Sequence, residues 1–467
     1  MPEMQNRKAF VHEQFRHILS FLGALLLMCF LTVQFADVWQ DFYSNNIILP
    51  FYRRGNWVMI AIYATVLFLF FKVYNGFKVG YLRKTDIVFS QLLAVLGTNV
   101  LNYLQISLIA RNFANPEPML LLTIKEMIVV ICWTSLMQRI YFALYPPRKL
   151  IIVYDSPFAA ALVLKMSERV EKYMICESVS VSEGYERITE KIRQYDGVII
   201  HDISADIRNA LIKFCFQNQL RAYIVPKVSD IILSGADTLR LFDTPLLLCR
   251  NQGLTLEQRL LKRLFDIIFS VIALLILSPL MLICALAVKC CDGGKIFYKQ
   301  KRLTEGGREF DCCKFRSMIP NAEEHGVQLA SEYDTRITPV GRILRRFRLD
   351  ELPQLFNILK GEMSVVGPRP ERPELTRKYQ EKFPEFEFRL SVKAGLTGYA
   401  QVTGGYHTSP YDKLRMDLMY IENYSLLKDM QIILMTVKTM LFPSPANPED
   451  FTKKFNDIDD SQEEKTS

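Results

Sequence analysis

The sequence of 467 residues has no two CxxC motifs at the spacing of a zinc site, although it holds ten cysteines, four of them in the adjacent pairs Cys290-Cys291 and Cys312-Cys313. Scattered cysteines of this kind are the pattern of reduced cytosolic thiols, not of a zinc scaffold. The first apolar run lacks a small-residue cleavage site, so no cleavable leader is expected. Charge of one sign is scarce. The net +8 is modest, has meaning only by where the charges lie, and points to no nucleic-acid partner.

Apolar residues, in contrast, make up half of the chain. In the first third they gather in four segments, about Ile18–Ala36, Val58–Tyr74, Ile87–Ile109 and Met119–Tyr141. Each is long enough for a hydrocarbon core about 30 Å thick. The third carries Asn99, Asn102 and Gln105, read as interhelical hydrogen-bond formers or, alternatively, as the lining of a substrate path. Arg7, Lys8 and Arg16 precede the first span; Lys78, Arg83 and Lys84 separate the second and third; Arg148 and Lys149 follow the fourth. The other two loops offer Arg53, Arg54 and Arg111, so the bias places both ends of the bundle on the cytoplasmic side.

From Lys149 the pattern changes. Strand-like runs at Leu150–Tyr154, Gly197–Ile200 and Ala222–Val225 alternate with helical patterns near Ala159–Tyr173, Tyr185–Gln194 and Ala205–Gln217. Such alternation argues for a parallel-sheet, Rossmann-like domain. Its first strand-to-helix turn, Asp155-Ser156-Pro157-Phe158, has no glycine, so the backbone cannot easily approach a pyrophosphate there. Packing or dimerisation is the favoured role.

A second apolar run, Ile267 to Val288, is also long enough to span. Pro279 at its centre removes a helix hydrogen bond, and Ser278 is placed to satisfy the freed carbonyl. Both flanks are basic: Arg259, Lys262 and Arg263 before, Lys289, Lys295, Lys299, Lys301 and Arg302 after. A bent helix that enters and leaves on the cytoplasmic face accommodates both clusters, whereas an ordinary fifth span would put one of them outside.

Downstream, Thr338 can cap a helix and Pro339 suits its first position. That helix carries Arg342, Arg345 and Arg346 toward the adjacent carboxylates Asp350 and Glu351. Leu352, Leu355, Phe356 and Leu359 predict a helix with Gly361 as its C-terminal cap, so the carboxylates are expected in its first turn, where free N–H groups face a phosphate. Two neighbouring carboxylates repel unless a cation separates them, and Mg²⁺ with phosphate oxygens meets that need. Arginine suits bidentate phosphate contacts. The residues thus point to metal-assisted phosphoryl transfer, with a carboxylate as nucleophile or as metal ligand.

Residues from about 259 to 442 resemble the bacterial sugar transferases that move a sugar phosphate from a nucleotide sugar to a polyprenyl phosphate, the monotopic phosphoglycosyl transferases. The matching pieces are Ser278-Pro279, Lys314-Phe315-Arg316-Ser317-Met318, Leu349-Asp350-Glu351-Leu352-Pro353-Gln354, residues 360–364, Val366-Gly367-Pro368-Arg369-Pro370, residues 393–398 and residues 417–422. The four spans and the α/β insert resemble the large form of the family, which starts exopolysaccharide, capsule or O-antigen units. The resemblance implies a multidomain membrane protein: a four-helix transmembrane bundle (1–148), a Rossmann-like α/β insert (149–250), a re-entrant helix with an α+β catalytic domain (251–442) and a disordered acidic tail (443–467).

It also implies chemistry. Asp350 would attack the β-phosphate of a UDP-sugar and release UMP, and undecaprenyl phosphate would attack the resulting phosphosugar-enzyme. Asp350 and Glu351 would hold Mg²⁺, with Glu351 alternatively managing a proton. Arg345, Pro368 and Arg369 match positions at the nucleotide or its phosphates, and Lys314 and Arg316 a basic strand beside them. The implied partners are the bilayer of the inner membrane, with the catalytic domain on the cytoplasmic face, and a second copy of the chain paired through the insert. Two positions depart from the family: Arg348, where a small hydroxyl residue is common, and Tyr424, where tryptophan is. The stretches 414–421 and 430–442 are amphipathic and lie either on the membrane surface or on the catalytic domain. The rival reading is a membrane-anchored, nucleotide-sensing scaffold without catalysis.

Overall fold

The four apolar segments of the first third form helices in the computed structural model: α1 (Pro2–Val38, continued by a π turn over Trp39–Tyr43), α2 (Arg53–Val73), α3 (Lys84–Ala110) and α4 (Glu117–Leu144). The structure describes residues 2–45, 53–155, 162–163, 166–167, 169–249, 253–319, 334–404 and 408–441. The acidic tail and most of the Asp155–Phe158 turn lie outside these. Five stretches among them are long and apolar enough to cross a membrane: Phe15–Tyr43, Arg54–Val73, Lys84–Ala110, Glu117–Leu144 and Leu256–Cys291. The first four pack side by side, α1 against α2 and α4, and α3 against the same two. Phe35 stacks on Tyr63, and the Trp133 indole donates to the Gly23 carbonyl at 2.9 Å. Of the expected interhelical polar residues, Asn99 bonds across to α4, whereas Asn102 bonds back to the Thr98 carbonyl of its own helix.

Residues 1–225 make one compact unit and 226–448 another. In the first, a parallel sheet has the order β2-β1-β3-β4, with β1 Arg148–Tyr154, β2 Tyr173–Ser180, β3 Gly197–His201 and β4 Arg221–Ile224. Burial of β1 and β3 on both faces explains their unbroken apolar runs. One face packs Ile151, Val153, Val198 and Ile200 against α5 (Tyr185–Ile192) and α6 (Ala205–Gln217); the other packs Leu150, Ile152 and Ile199 against Leu162, Val163 and Met166. The sheet domain ends sooner than residue 250. After Val225 the chain joins the second unit, because α7 (Val228–Ser234) buries Val228 and Ile231 in that unit's core. A hairpin of β5 (Asp237–Leu241) and β6 (Thr244–Leu248) follows, exposed along both strands.

The second apolar run lies within α8 (Leu256–Asp292), 37 residues and about 55 Å long at 1.5 Å per residue. Pro279 deprives the Leu275 carbonyl of its usual donor, and the Ser278 hydroxyl replaces it at 3.0 Å. Buried positions recur every three or four residues along α8 on both sides of the proline. Lys262, Asp266 and Ser270 are buried before it, and Met281, Cys284 and Val288 after it. Between its charged ends the remaining surface is largely apolar and exposed, with Leu275 and Ile276, just before the proline, among its barest residues. Lys262 and Arg263, expected as membrane-flanking charges, are committed within the protein. Lys262 Nζ lies 2.7 Å from Asp429 Oδ2, and Arg263 caps two carbonyls, Ile358 O at 2.6 Å and Leu359 O at 2.8 Å.

The rest of the unit comprises the antiparallel pair β7 (Phe297–Leu303) and β8 (Glu309–Phe315), then α9 (Pro339–Arg346) and α10 (Gln354–Lys360). Next come β9 (Ser364–Val366), α11 (Pro373–Lys382), and β10 (Gly395–Thr397), which runs parallel to β9. Finally α12 (Tyr399–Thr403), α13 (Pro410–Glu422) and α14 (Leu426–Leu441) complete it. Leu414, Leu418 and Ile421 enter the core, so the first amphipathic stretch packs on the domain; α14 buries Ile432 and exposes Leu427, Met430 and Val437.

The Lys262–Asp429 pair generates a stability prediction. Both side chains are nearly inaccessible, and Asp429 also accepts from the Tyr420 hydroxyl at 2.6 Å. We expect Lys262→Met to cost about 3–5 kcal/mol, because it strands a buried carboxylate, and Lys262→Met with Asp429→Leu to recover most of that loss. Thermal unfolding in detergent measures it; an unchanged midpoint in the single variant would show that the pair does not hold the fold.

Candidate functional site

Asp350 and Glu351 do not open the following helix as the periodicity predicts. They form a separate 3₁₀ turn, Leu349–Glu351, and α10 begins only at Gln354, after Pro353. The turn is set by Arg348, whose φ of 52° places it in the left-handed region that few non-glycine residues occupy. The N–H groups of Glu351, Leu352, Leu355 and Phe356 already bond the carbonyls of Arg348, Leu349, Leu352 and Pro353, so they are not free for a phosphate. The later start also rotates the buried face of α10 to Leu355 and Ile358 and leaves Phe356 exposed.

Upstream, Thr338 Oγ1 accepts from the Gly341 N–H at 2.9 Å and caps α9, with Pro339 at its first position. Gly341 is required there, since a Cβ would overlap the Ser317 carbonyl oxygen. That close approach brings Arg345 Nε to Ser317 Oγ at 2.8 Å. Its charge reaches Asp350.

Glu351 is the fixed member of the pair. Its Oε1 accepts from Arg369 Nη2 at 2.8 Å and from Lys314 Nζ, at the end of β8, at 3.3 Å. Burial works against its charge, but Arg369 and Lys314 outweigh burial and hold its carboxyl well below the usual range. Asp350 is the opposite case. Among the described residues no hydrogen bond or ion pair reaches its carboxylate. Burial and the neighbouring Glu351 charge raise its pKa to about 6.

Gly367-Pro368-Arg369-Pro370 is held from several sides. A Cβ at Gly367 would overlap the Lys393 carbonyl, and the Pro368 carbonyl accepts from Gly395 N at 2.9 Å. Arg302 Nη1 donates to Pro370 O at 3.0 Å, and Arg389 Nη2 to Arg369 O at 3.0 Å. Arg369 Nη1 reaches Gln401 Oε1 at 3.2 Å. Arg389 is itself clamped by Asp417 Oδ2, at 3.1 Å from Nε and 2.7 Å from Nη2, with both side chains buried.

The structure thus brings Lys314 and Arg369 onto Glu351 and the charge of Arg345 to bear on Asp350, with Pro368 in the loop that carries Arg369. Arg316 is the exception: its guanidinium lies over Gly294, just ahead of β7. Arg302, Arg389 and Gln401 were not foreseen. Asp417 lay in a matching piece of sequence, but nothing in its spacing marks it as the holder of Arg389.

The distinct states of the pair can be tested on the protein alone. Glu351→Gln removes the like charge beside Asp350, so the midpoint of Asp350, about 6, should fall. Infrared titration with isotope-labelled aspartate measures this; a midpoint that stays or rises would show that Glu351 does not set it.

Residues 257–443 match the model of a family described as bacterial sugar transferase. A UDP-N-acetylgalactosamine-undecaprenyl-phosphate N-acetylgalactosaminephosphotransferase of Aeromonas hydrophila is 42% identical over 184 residues, 39% of this chain and 44% of that protein. A UDP-glucose:undecaprenyl-phosphate glucose-1-phosphate transferase of Xanthomonas campestris pv. campestris is 40% identical over 227 residues, 47% of each chain. The chain therefore spans less than half the length of these two relatives. Of the exopolysaccharide production protein ExoY of Sinorhizobium fredii it covers 83%, at 39% identity over 191 residues and 38% of this chain. With the Asp-Glu turn, its cationic ring and this coverage together, the chain belongs to the bacterial sugar transferase family.

Proposed function

We propose that the protein transfers a sugar-1-phosphate from a UDP-sugar to undecaprenyl phosphate at the cytoplasmic face of the inner membrane, starting an exopolysaccharide, capsule or O-antigen unit. The observation that carries this reading is the division between the carboxylates. Glu351 is held as an anion by Arg369 and Lys314, and Asp350 beside it is left unpaired among the described residues. An Asp350 oxygen attacks the β-phosphorus of the donor; the bond from that phosphorus to the bridging oxygen breaks, and UMP leaves with the electron pair. A phosphate oxygen of undecaprenyl phosphate then attacks the same phosphorus, breaking its bond to Asp350 and leaving a lipid diphosphosugar. Arg345, Lys314 and Arg369 offset phosphate charge, and Arg369 keeps 41% of its side chain exposed while bound to Glu351. The relatives differ in their sugars, so the donor is assigned here only as a UDP-hexose class.

No group of three or more His, Cys, Asp or Glu able to hold a metal occurs among the described residues. Two carboxylates are nevertheless what Mg²⁺ uses when substrate phosphates complete its shell. Both cations on Glu351 use Oε1, which leaves Oε2 for such an ion. Asp350 and Glu351 would hold the Mg²⁺, and its charge would offset that of the donor phosphates.

We also propose that α8 re-enters rather than spans. Its first half packs on the core through Phe269, Ala273 and Leu274, and its second half, through Met281, Cys284 and Val288, on Phe315 and Leu344 of the same unit. The intervening residues 275–280 cover only about 9 Å, well short of a core of about 30 Å.

Two experiments follow. Asp350→Asn should reduce UMP release from UDP-sugars to background, and the unaltered protein without lipid acceptor should gain one phosphosugar in intact mass. Chelation should stop turnover and Mg²⁺ restore it. Wild-type turnover in Asp350→Asn would sink the mechanism. For α8, single cysteines at Gln258 and Gly306, in a background without the native ones, should both escape an impermeant thiol reagent in intact cells. Labelling at Gly306 alone would show a true span.

A further inference from the structure

The family match begins at residue 257, so nothing assigns a role to the four helices of the first unit. They enclose a polar cluster that the proposed reaction does not use. Glu126 of α4 is fully buried. Its Oε1 accepts from the Tyr63 hydroxyl of α2 at 2.7 Å, and its Oε2 from Asn99 Nδ2 of α3 at 2.7 Å. Asn99 Nδ2 also lies 2.9 Å from Thr123 Oγ1. Phe35 of α1 covers the Tyr63 ring, with centroids 4.1 Å apart.

Acceptors outnumber donors here. Asn99 Oδ1 is buried without a donor, and so is Asn102 Oδ1 one turn along the same helix. The hydroxyls of Thr98 and Thr123 are already given to the carbonyls of Ala94 and Met119. Among the described residues no Lys, Arg or His pairs with Glu126, and the adjacent Lys125 lies on the exposed face of α4. Among the described residues Tyr63 is the one titratable side chain bonded to it. A carboxylate enclosed by apolar helices without a counter-charge is strongly disfavoured; it takes up a proton or holds a cation. The unpaired carbonyl oxygens are the ligand type that a small hard cation uses.

We propose that this cluster binds one monovalent cation, a proton or Na⁺, with Glu126 as the charged ligand and Tyr63 and Asn99 supplying polar contacts. The site is independent of the transferase reading and would persist if that reading failed.

The test uses the full chain in lipid nanodiscs, first without Na⁺. A protonated carboxyl adds its O–H across a C=N bond of dicyclohexylcarbodiimide, and the O-acylisourea formed rearranges by O-to-N acyl shift to a stable N-acylurea. One adduct on the Glu126 peptide is expected, absent in Glu126→Gln, with a rate that falls about tenfold per pH unit above the midpoint of the group. Protection by Na⁺ but not by choline identifies Na⁺ as the occupant; equal labelling in both identifies the proton. Infrared difference spectra cover the case in which the reagent cannot enter: acid or Na⁺ should shift a carboxyl band that Glu126→Gln lacks. A wild-type chain with neither an adduct nor a Glu126-dependent band shift overturns the proposal.

Discussion

The site depends on one ion pair. Adjacent carboxylates in a buried pocket cannot both remain unpaired anions, because each raises the cost of charging the other. Arg369 on Glu351 Oε1 at 2.8 Å, joined by Lys314, resolves this by fixing the charge on one of them. The second has no partner among the described residues and titrates at about 6, ionised at neutral pH yet not locked in a salt bridge. A nucleophile needs that combination of charge and availability. If Arg369 moved away, Glu351 would lose the cation that keeps it ionised, and the two carboxylates would cease to differ.

Much of the surrounding structure keeps Arg369 in place. Arg389 donates to its backbone carbonyl, and Asp417 in turn neutralises Arg389 in the interior. Asp266 of α8 accepts from the Ser364 hydroxyl and the Val365 N–H, both at 3.0 Å, on the strand that leads into Gly367. Arg263, one turn earlier on α8, caps the carbonyl end of α10, the helix that follows the Asp-Glu turn. One face of α8 therefore supports both sides of the site, the turn with the carboxylates and the loop with the guanidinium.

The elements that read clearly in the sequence were those with a local physical cause. Apolar length marked the helices, alternating strands and helices marked the parallel sheet, and Thr338-Pro339 marked the start of α9. Proline and serine at 278–279 foretold the replaced hydrogen bond at Leu275. What did not read locally was set by tertiary packing. The Asp-Glu turn separated from α10 because Arg348 takes a left-handed conformation, which no periodicity reports. Lys262 and Arg263 look like membrane-flanking charges in sequence; only the fold supplies Asp429 and the end of α10 as their partners. Arg316 sits two residues from Lys314, yet it is directed to Gly294 instead of the carboxylates.

In apolar surroundings, accounting for polar groups separates support from function. Within α8 the charged groups and the proline break are answered: Ser278 replaces the donor lost at Pro279, Lys262 meets Asp429, and Asp266 meets two donors. Among the described residues of α8 one buried hydroxyl, that of Ser270, is left over, with no surplus of acceptors around it, and the helix acts as a support. The four helices of the first unit leave a different balance, with the amide oxygen of Asn99, and that of Asn102 one turn along, unanswered near a carboxylate that has no counter-charge among the described residues. Apolar side chains of similar volume would pack such an interior at lower electrostatic cost. Unpaired amide oxygens beside a buried carboxylate in the first unit, against a lone hydroxyl at Ser270 in α8, are the physical reason for assigning a ligand to the first unit and none to α8.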